Sequence, residues 1–138
     1  MANYYGVCRS NYFAVKSEAA FRKLISHCSS EDEIHIFERD GPGGKLFGFG
    51  CYGSIPGLCL DEDGCSDQTA FYRVLKKIVA EGHAVIITEA GYEKLRYVVG
   101  GAAIITNRAI KYLDINNRAL ITARIMLGNP DYAPVMNY

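Results

Sequence analysis

Apolar positions recur at helical spacing most clearly where Phe71, Val74, Leu75, Ile78 and Val79 fall at i, i+3, i+4, i+7 and i+8. Asp67 precedes this run and can accept from the orphan amides of a first turn, so the spacing predicts a capped helix. At about 2 kcal/mol per fully buried side chain, five such residues contribute on the order of 10 kcal/mol before ordering entropy is subtracted. A shorter face follows Ser17, another capping residue, with Phe21, Leu24, Ile25 and Cys28 in register. A third helix is expected over 117–127, capped by Asn116, turning Leu120, Ala123 and Leu127 inward and stopped by Gly128 with Pro130 beyond.

Between these helices the pattern changes to strands. Residues 7–15, 31–39 and 45–53 read as strands, the last two joined by a reversal at Asp40-Gly41-Pro42-Gly43-Gly44. Residues 84–88 are apolar on both faces and predict a central strand, 97–106 a long strand slackened by Gly100-Gly101, and 110–115 a short one. The order is β-α-β-β-α-β-β-β-α, and its first six elements have the connectivity of a split β-α-β, or ferredoxin-like, unit. The expected fold class is α+β, a mainly antiparallel sheet with helices on one face, forming a single compact domain over 1–138.

Four charges, Glu89, Glu93, Lys94 and Arg96, stand between two nearly uncharged runs. Gly91 suits the first central position of a type II′ turn, so Gly91-Tyr92 is expected as a two-residue hairpin loop with Glu89 opposite Lys94 and Arg96 diagonal to Glu89. Such pairs at a tip fix register. The same acid, flanked by bases and by Tyr92 and Tyr97, could equally receive a ligand or a partner's side chain. A second unusual stretch runs from Gly48 to Gly57: as a strand it puts Phe47, Phe49 and Cys51 on one face and Gly48, Gly50 and Tyr52 on the other. The bare patch admits a helix, a backbone or a flat ring, with close packing preferred over ligand binding.

Composition narrows the chemistry. Of 138 residues 49% are hydrophobic and 22% charged, ample material for one core. No basic leader followed by an apolar run opens the chain and no run approaches a bilayer span, so a cytoplasmic location is expected. Cys8, Cys28, Cys51, Cys59 and Cys65 are odd in number and lack a Cys-x-x-Cys spacing, which favours reduced thiols. Asp61 to Asp67 lacks the full spacing of a calcium loop, and His27, His35 and His83 are isolated. Cys51, His83 and Glu89 can be imagined as a triad, but any chain of this size offers such a choice. Neither metal nor cofactor is implied, and a non-enzymatic role is expected.

A net charge of zero conceals an asymmetry: residues 29–67 hold nine acids against two bases, a balance of −7 that the remainder offsets. Glu31, Asp32, Glu33, Glu38, Asp40, Asp61, Glu62 and Asp63 therefore form an expected acidic contact surface for a basic partner, or else simply neutralise the other half on folding. Direct nucleic-acid binding is not favoured, since no basic and aromatic run along the chain exceeds what ordinary helix faces supply. A homodimer is also allowed.

Ser10-Asn11-Tyr12-Phe13-x-Val15, Gly48-Phe49-Gly50-x-Tyr52-Gly53-Ser54-Ile55 and Glu93-Lys94-Leu95-Arg96-Tyr97-x-x-Gly100 together resemble the framework of small accessory proteins of phages, plasmids and integrated elements of gut bacteria. The resemblance covers most of the chain and implies a counter-defence role, such as CRISPR inhibition, exerted on a nuclease or ribonucleoprotein. The expected function is binding of a basic host protein through the acidic segment. The alternatives are a small-molecule or nucleotide-sequestering protein using Gly48 to Tyr52 with the Glu89 to Tyr97 hairpin, and an enzyme whose site has no recognisable motif.

Overall fold

A computed structural model of the protein describes residues 4–30, 32–59 and 66–135. Its elements run β1 (Tyr5–Ser10), α1 (Glu18–Ser26), β2 (Cys28–Ser29), β3 (His35–Gly41), β4 (Gly44–Tyr52), β5 (Gly57–Cys59), β6 (Ser66–Asp67), α2 (Gln68–Ile78), β7 (Val85–Glu93), β8 (Tyr97–Ile105), β9 (Ile110–Asp114) and α3 (Ile115–Leu127). The fold is α+β. Among the described residues one antiparallel sheet has the order β3-β4-β1-β7-β8-β9, and the short β2, β5 and β6 form a second. The four strands β3-β4-β1-β7, with α1 and α2 as crossovers, reproduce the predicted split β-α-β, and β8 and β9 extend it on one side.

The caps explain where the helices start. Ser17 accepts from the Ala20 amide at 3.2 Å and Asp67 from the Ala70 amide at 3.0 Å, as their positions predict. The third cap differs. Asp114, not Asn116, receives the Asn116 and Asn117 amides, because a carboxylate two residues upstream reaches both donors at once. Gly128 closes α3 at φ 65°, the left-handed stop its position predicts.

The core lies between the sheet and α1 with α2. Phe13, Phe21, Phe49 and Phe71 are fully buried, and successive rings meet edge-on or tilted, with Phe13 to Phe21 at 5.7 Å, Phe21 to Phe49 at 6.2 Å and Phe49 to Phe71 at 6.0 Å. From α2, Phe71, Leu75 and Val79 are buried while Val74 and Ile78 pack at the margin. The expected inward face of α3 is not realised: Leu127 is 61% exposed and no residue of this helix is buried, since α3 packs chiefly against β8 and β9.

The resembling motif at residues 10–15 has a structural task. Ser10 Oγ donates to the Asn11 carbonyl and accepts from the Phe49 amide at 2.9 Å, satisfying its buried hydroxyl. The Asn11 side chain donates to the Ala84 carbonyl and accepts from the Ile86 amide, clamping the end of β1 to the start of β7. Phe13 then enters the core through a bridge to Phe47.

Candidate functional site

Register sorts the side chains of the main sheet onto two faces, because directly opposed residues point the same way. On the face covered by α1 and α2, one row runs Cys51, Cys8, Glu89, Gly101, Asp114 and the next Ser10, Ile87, Ala103, Tyr112. Beside the first turn of α2 this face is only partly roofed. A cleft of about 270 Å³ opens there, walled by Phe71 and Tyr72 of α2, the Ser54-Ile55-Pro56 loop and Tyr112, with Cys8 and Glu89 on its floor.

Glu89 is the charged group of this floor. Tyr4 Oη donates to its Oε2 at 3.1 Å, and among the described residues no Lys, Arg or His lies within ion-pair distance. Its field acts on its neighbours. The Tyr4 phenol is pushed up to about 12 by burial and then by Glu89. Cys8 is pushed up to about 12 by burial, with Cys51 and Glu89 adding to the effect. Tyr72 rises to about 12 through burial first, with Cys8, Tyr112 and Glu89 contributing, and Tyr112 rises through burial, Asp114 and Glu89. At neutral pH these hydroxyls and the thiol stay protonated around one carboxylate.

The turn between β7 and β8 is not the expected Gly91-Tyr92 loop. β7 continues through Gly91 and Tyr92 to Glu93, Glu93 pairs with Tyr97, and Lys94-Leu95-Arg96 form a three-residue turn closed by the Arg96 amide on the Glu93 carbonyl at 3.1 Å. Glu89 lies opposite Gly101, not Lys94. Lys94 itself takes the positive φ, 49°, that the sequence assigned to Gly91. Gly91 is glycine for another reason: a Cβ there would strike the Tyr4 ring and lie 2.6 Å from the Tyr5 carbonyl. At the tip Arg96 pairs with Glu93 at 3.4 Å rather than sharing a site with Glu89.

The other predicted residues separate. Tyr52 and Tyr92 lie on the open face of the sheet, whereas Glu89, Glu93 and Tyr97 lie on the covered face, so Gly48 to Tyr52 and the hairpin acids do not meet in one site. Gly48 and Gly50 are bare because the Asn11 carbonyl would lie 3.0 Å from a Cβ at Gly48, and the Cys8 carbonyl 2.9 Å and the Phe37 ring 3.5 Å from one at Gly50. Of the acidic residues, Glu31, Asp61, Glu62 and Asp63 lie outside the described residues. Asp32, Glu33 and Asp40 are exposed, while Glu38 is bridged by Arg22 and by Lys45 at 3.9 Å, and Glu18 joins the same cluster. His83 accepts from the Ala14 amide at 3.3 Å, away from Cys51 and Glu89, so that triad is not assembled.

Tyr4, Cys8, Tyr72 and Tyr112 were not legible as site residues. Ten tyrosines in the sequence were a signal, but only strand register gathers these around Glu89. Compared with protein-family models, with curated proteins and with solved structures, the chain matches none.

Proposed function

We propose that this is a non-enzymatic binding protein whose recognition site is the Glu89 cleft and whose ligand presents an organic cation, an ammonium or guanidinium group. The observation that supports this most is a half-buried carboxylate without a cationic partner among the described residues, beside the rings of Phe71, Tyr72 and Tyr112. Aromatic faces and a carboxylate together attract such a group, by about 0.5 to 2 kcal/mol per ring. The thiol and phenols around Glu89 are held protonated, which suits binding better than nucleophilic chemistry. The cation is either free or the end of a lysine or arginine on a partner.

The test is titration of labelled protein with tetramethylammonium, N-acetyl-lysine amide and N-acetyl-arginine amide, read by NMR. Shifts at Glu89, Tyr72 and Tyr112 that vanish in Glu89→Gln support the reading. Absence of binding by all three at about 10 mM, corresponding to affinities too weak for a built site, or binding retained in Glu89→Gln, overturns it.

A second reading, into which the counter-defence role fits, is docking on a basic protein through Asp32, Glu33 and Asp40. It is supported by their exposure and by the lack of ion-pair partners for them among the described residues. Combined Asp32→Lys and Glu33→Lys would then slow association with a lysine-rich peptide and Glu89→Gln would leave it unchanged, whereas the cleft reading predicts the reverse.

A further inference from the structure

The strands of the main sheet segregate charge across their two faces. Every strand carboxylate, Glu38, Asp40, Glu89, Glu93 and Asp114, points to the covered face. The open face carries Arg9, Arg39, His35 and Lys111, and no acid at any strand position. Among the described residues neither Arg9 nor Arg39 has a carboxylate within ion-pair distance.

Aromatic rings share this open face. The Arg9 guanidinium lies over Phe37 at 4.5 Å and over Tyr12 at 5.7 Å, and Arg39 lies over Tyr12 at 5.9 Å. Glycines at 48 and 50 admit this arrangement, because a Cβ there would crowd the Asn11 and Cys8 carbonyls and lie 3.6 Å from the Tyr12 ring and 3.5 Å from the Phe37 ring. Toward the other end of the same strands Tyr5 and Tyr92 are neighbours with centroids 5.8 Å apart, and Tyr52 stands nearby opposite Val7. Tyr5, Tyr52 and Tyr92 are 58%, 70% and 51% exposed, so these rings serve no core.

We propose that the open face of the β3-β4-β1-β7 strands is a platform for single-stranded RNA. Unpaired guanidinium groups neutralise phosphates, exposed rings stack bases whatever the sequence, and a face without carboxylates repels no phosphate. The rings at 5, 52 and 92 are tyrosines, and their hydroxyls can bond a ribose 2′-OH, which is the ground for choosing RNA over DNA. Along the chain Tyr5, Arg9, Phe37, Arg39, Tyr52 and Tyr92 are too dispersed to read as a basic and aromatic run. Strand pairing brings them onto one surface. This site is independent of the Glu89 cleft, which opens on the opposite face.

Fluorescence anisotropy of a labelled oligouridylate of about ten nucleotides, with the DNA of matching sequence and an RNA duplex alongside, tests the assignment. Expected are tighter binding of single-stranded RNA than of either competitor and an affinity that falls with salt. Tyr52→Ala and Tyr92→Ala should each weaken binding about tenfold. Arg9→Gln should weaken it and flatten the salt dependence, while Lys77→Gln, an equal loss of charge on α2, should leave it unchanged. Glu89→Gln should also leave it unchanged, which separates this proposal from the cleft. Circular dichroism of each variant confirms the fold. No RNA binding by the wild type at low salt, DNA bound as tightly as RNA, or an affinity unaltered by the open-face variants overturns the proposal. So does a dimer that dissociates in Tyr92→Ala without any RNA binding, since the rings would then serve self-association.

Discussion

The Tyr4 hydroxyl bonds Glu89 at 3.1 Å while its ring lies across Gly6 and Gly91, which face each other on β1 and β7. Two residues without side chains on adjacent strands leave a shallow seat, the ring occupies it, and the hydroxyl at its end meets the carboxylate of the cleft. Backbone choice at positions 6 and 91 thus reaches the recognition chemistry through one aromatic side chain.

Gly6→Ala should destabilise the protein and weaken cation binding together. A Cβ at position 6 would lie 2.6 to 2.7 Å from the hydroxyl and two ring carbons of Tyr4, and those atoms are its three nearest neighbours. The obstacle is the far end of a side chain that can swing aside, so the cost is at the lower end of the about 1 to 3 kcal/mol that overpacking carries. In a Tyr4→Ala background the obstacle is gone, so urea unfolding of the two single variants and the double variant should show a favourable coupling. Additive effects would mean that the ring does not occupy this seat.

What was legible from the sequence follows from range of interaction. The caps of α1 and α2, the α2 stripe and the Pro42-Gly43 reversal depend on residues a few positions apart, and they stand where the pattern puts them, with Gly41 opposite Gly44. The strand after α1 begins at His35 rather than at residue 31, and β7 runs five residues past the expected end at 88. A glycine suggests a turn at 91, but here it makes room for the ring of Tyr4, 87 residues away in the chain. Glu89 stands out in the sequence as a candidate contact residue, but the groups around it, Tyr4, Tyr72 and Tyr112, come from distant parts of the chain. No local pattern can gather them.

Gly57→Ala should be among the most damaging single substitutions. Gly57 has φ 128°, a region that side chains rarely enter, and a Cβ would strike the backbone joining Asp67 to Gln68 at the start of α2. Backbone there cannot yield without moving the Asp67 cap, so a loss of at least about 3 kcal/mol is expected. Gly82→Ala is the control: its φ of 80° is also positive, but nothing stands within 4 Å. It should cost only about 1 to 2 kcal/mol. Equal urea midpoints for the two variants would contradict the argument from space.

The Glu18, Arg22, Glu38 and Lys45 cluster joins α1 to the β3-β4 hairpin at the surface, with side chains 42 to 48% exposed. Exposed pairs are screened by salt and lose side-chain entropy. Glu38→Gln should therefore leave thermal stability nearly unchanged in moderate salt, with a small decrease visible only at low ionic strength. A large loss that persists in high salt would show that this cluster holds the hairpin in place.

The protein should lose stability in alkali, from about pH 9 upward. Cys8 and Cys28 are raised from 9.0 to about 12 by burial, and Tyr4 and Tyr72 from 10.0 to about 12 by burial, with Glu89 adding to the shift of each tyrosine. The sign follows from which form the fold prefers. Each group is neutral when protonated, and the folded state retains its proton at pH values where the unfolded chain has released it. The contribution to stability is therefore whole below the unfolded values near 9 to 10 and disappears as pH rises through the folded value near 12. Urea midpoints measured from about pH 8 to about pH 11 should fall continuously, and Cys8→Ala should make that fall shallower even though the variant starts from a lower midpoint. Native Cys8, 2% exposed, should also resist iodoacetamide at pH 8, where a free thiol is alkylated readily. Rapid alkylation of Cys8 in folded protein, or a pH profile identical in Cys8→Ala, would show that the thiolate is tolerated on the floor of the cleft and that burial does not hold Cys8 protonated.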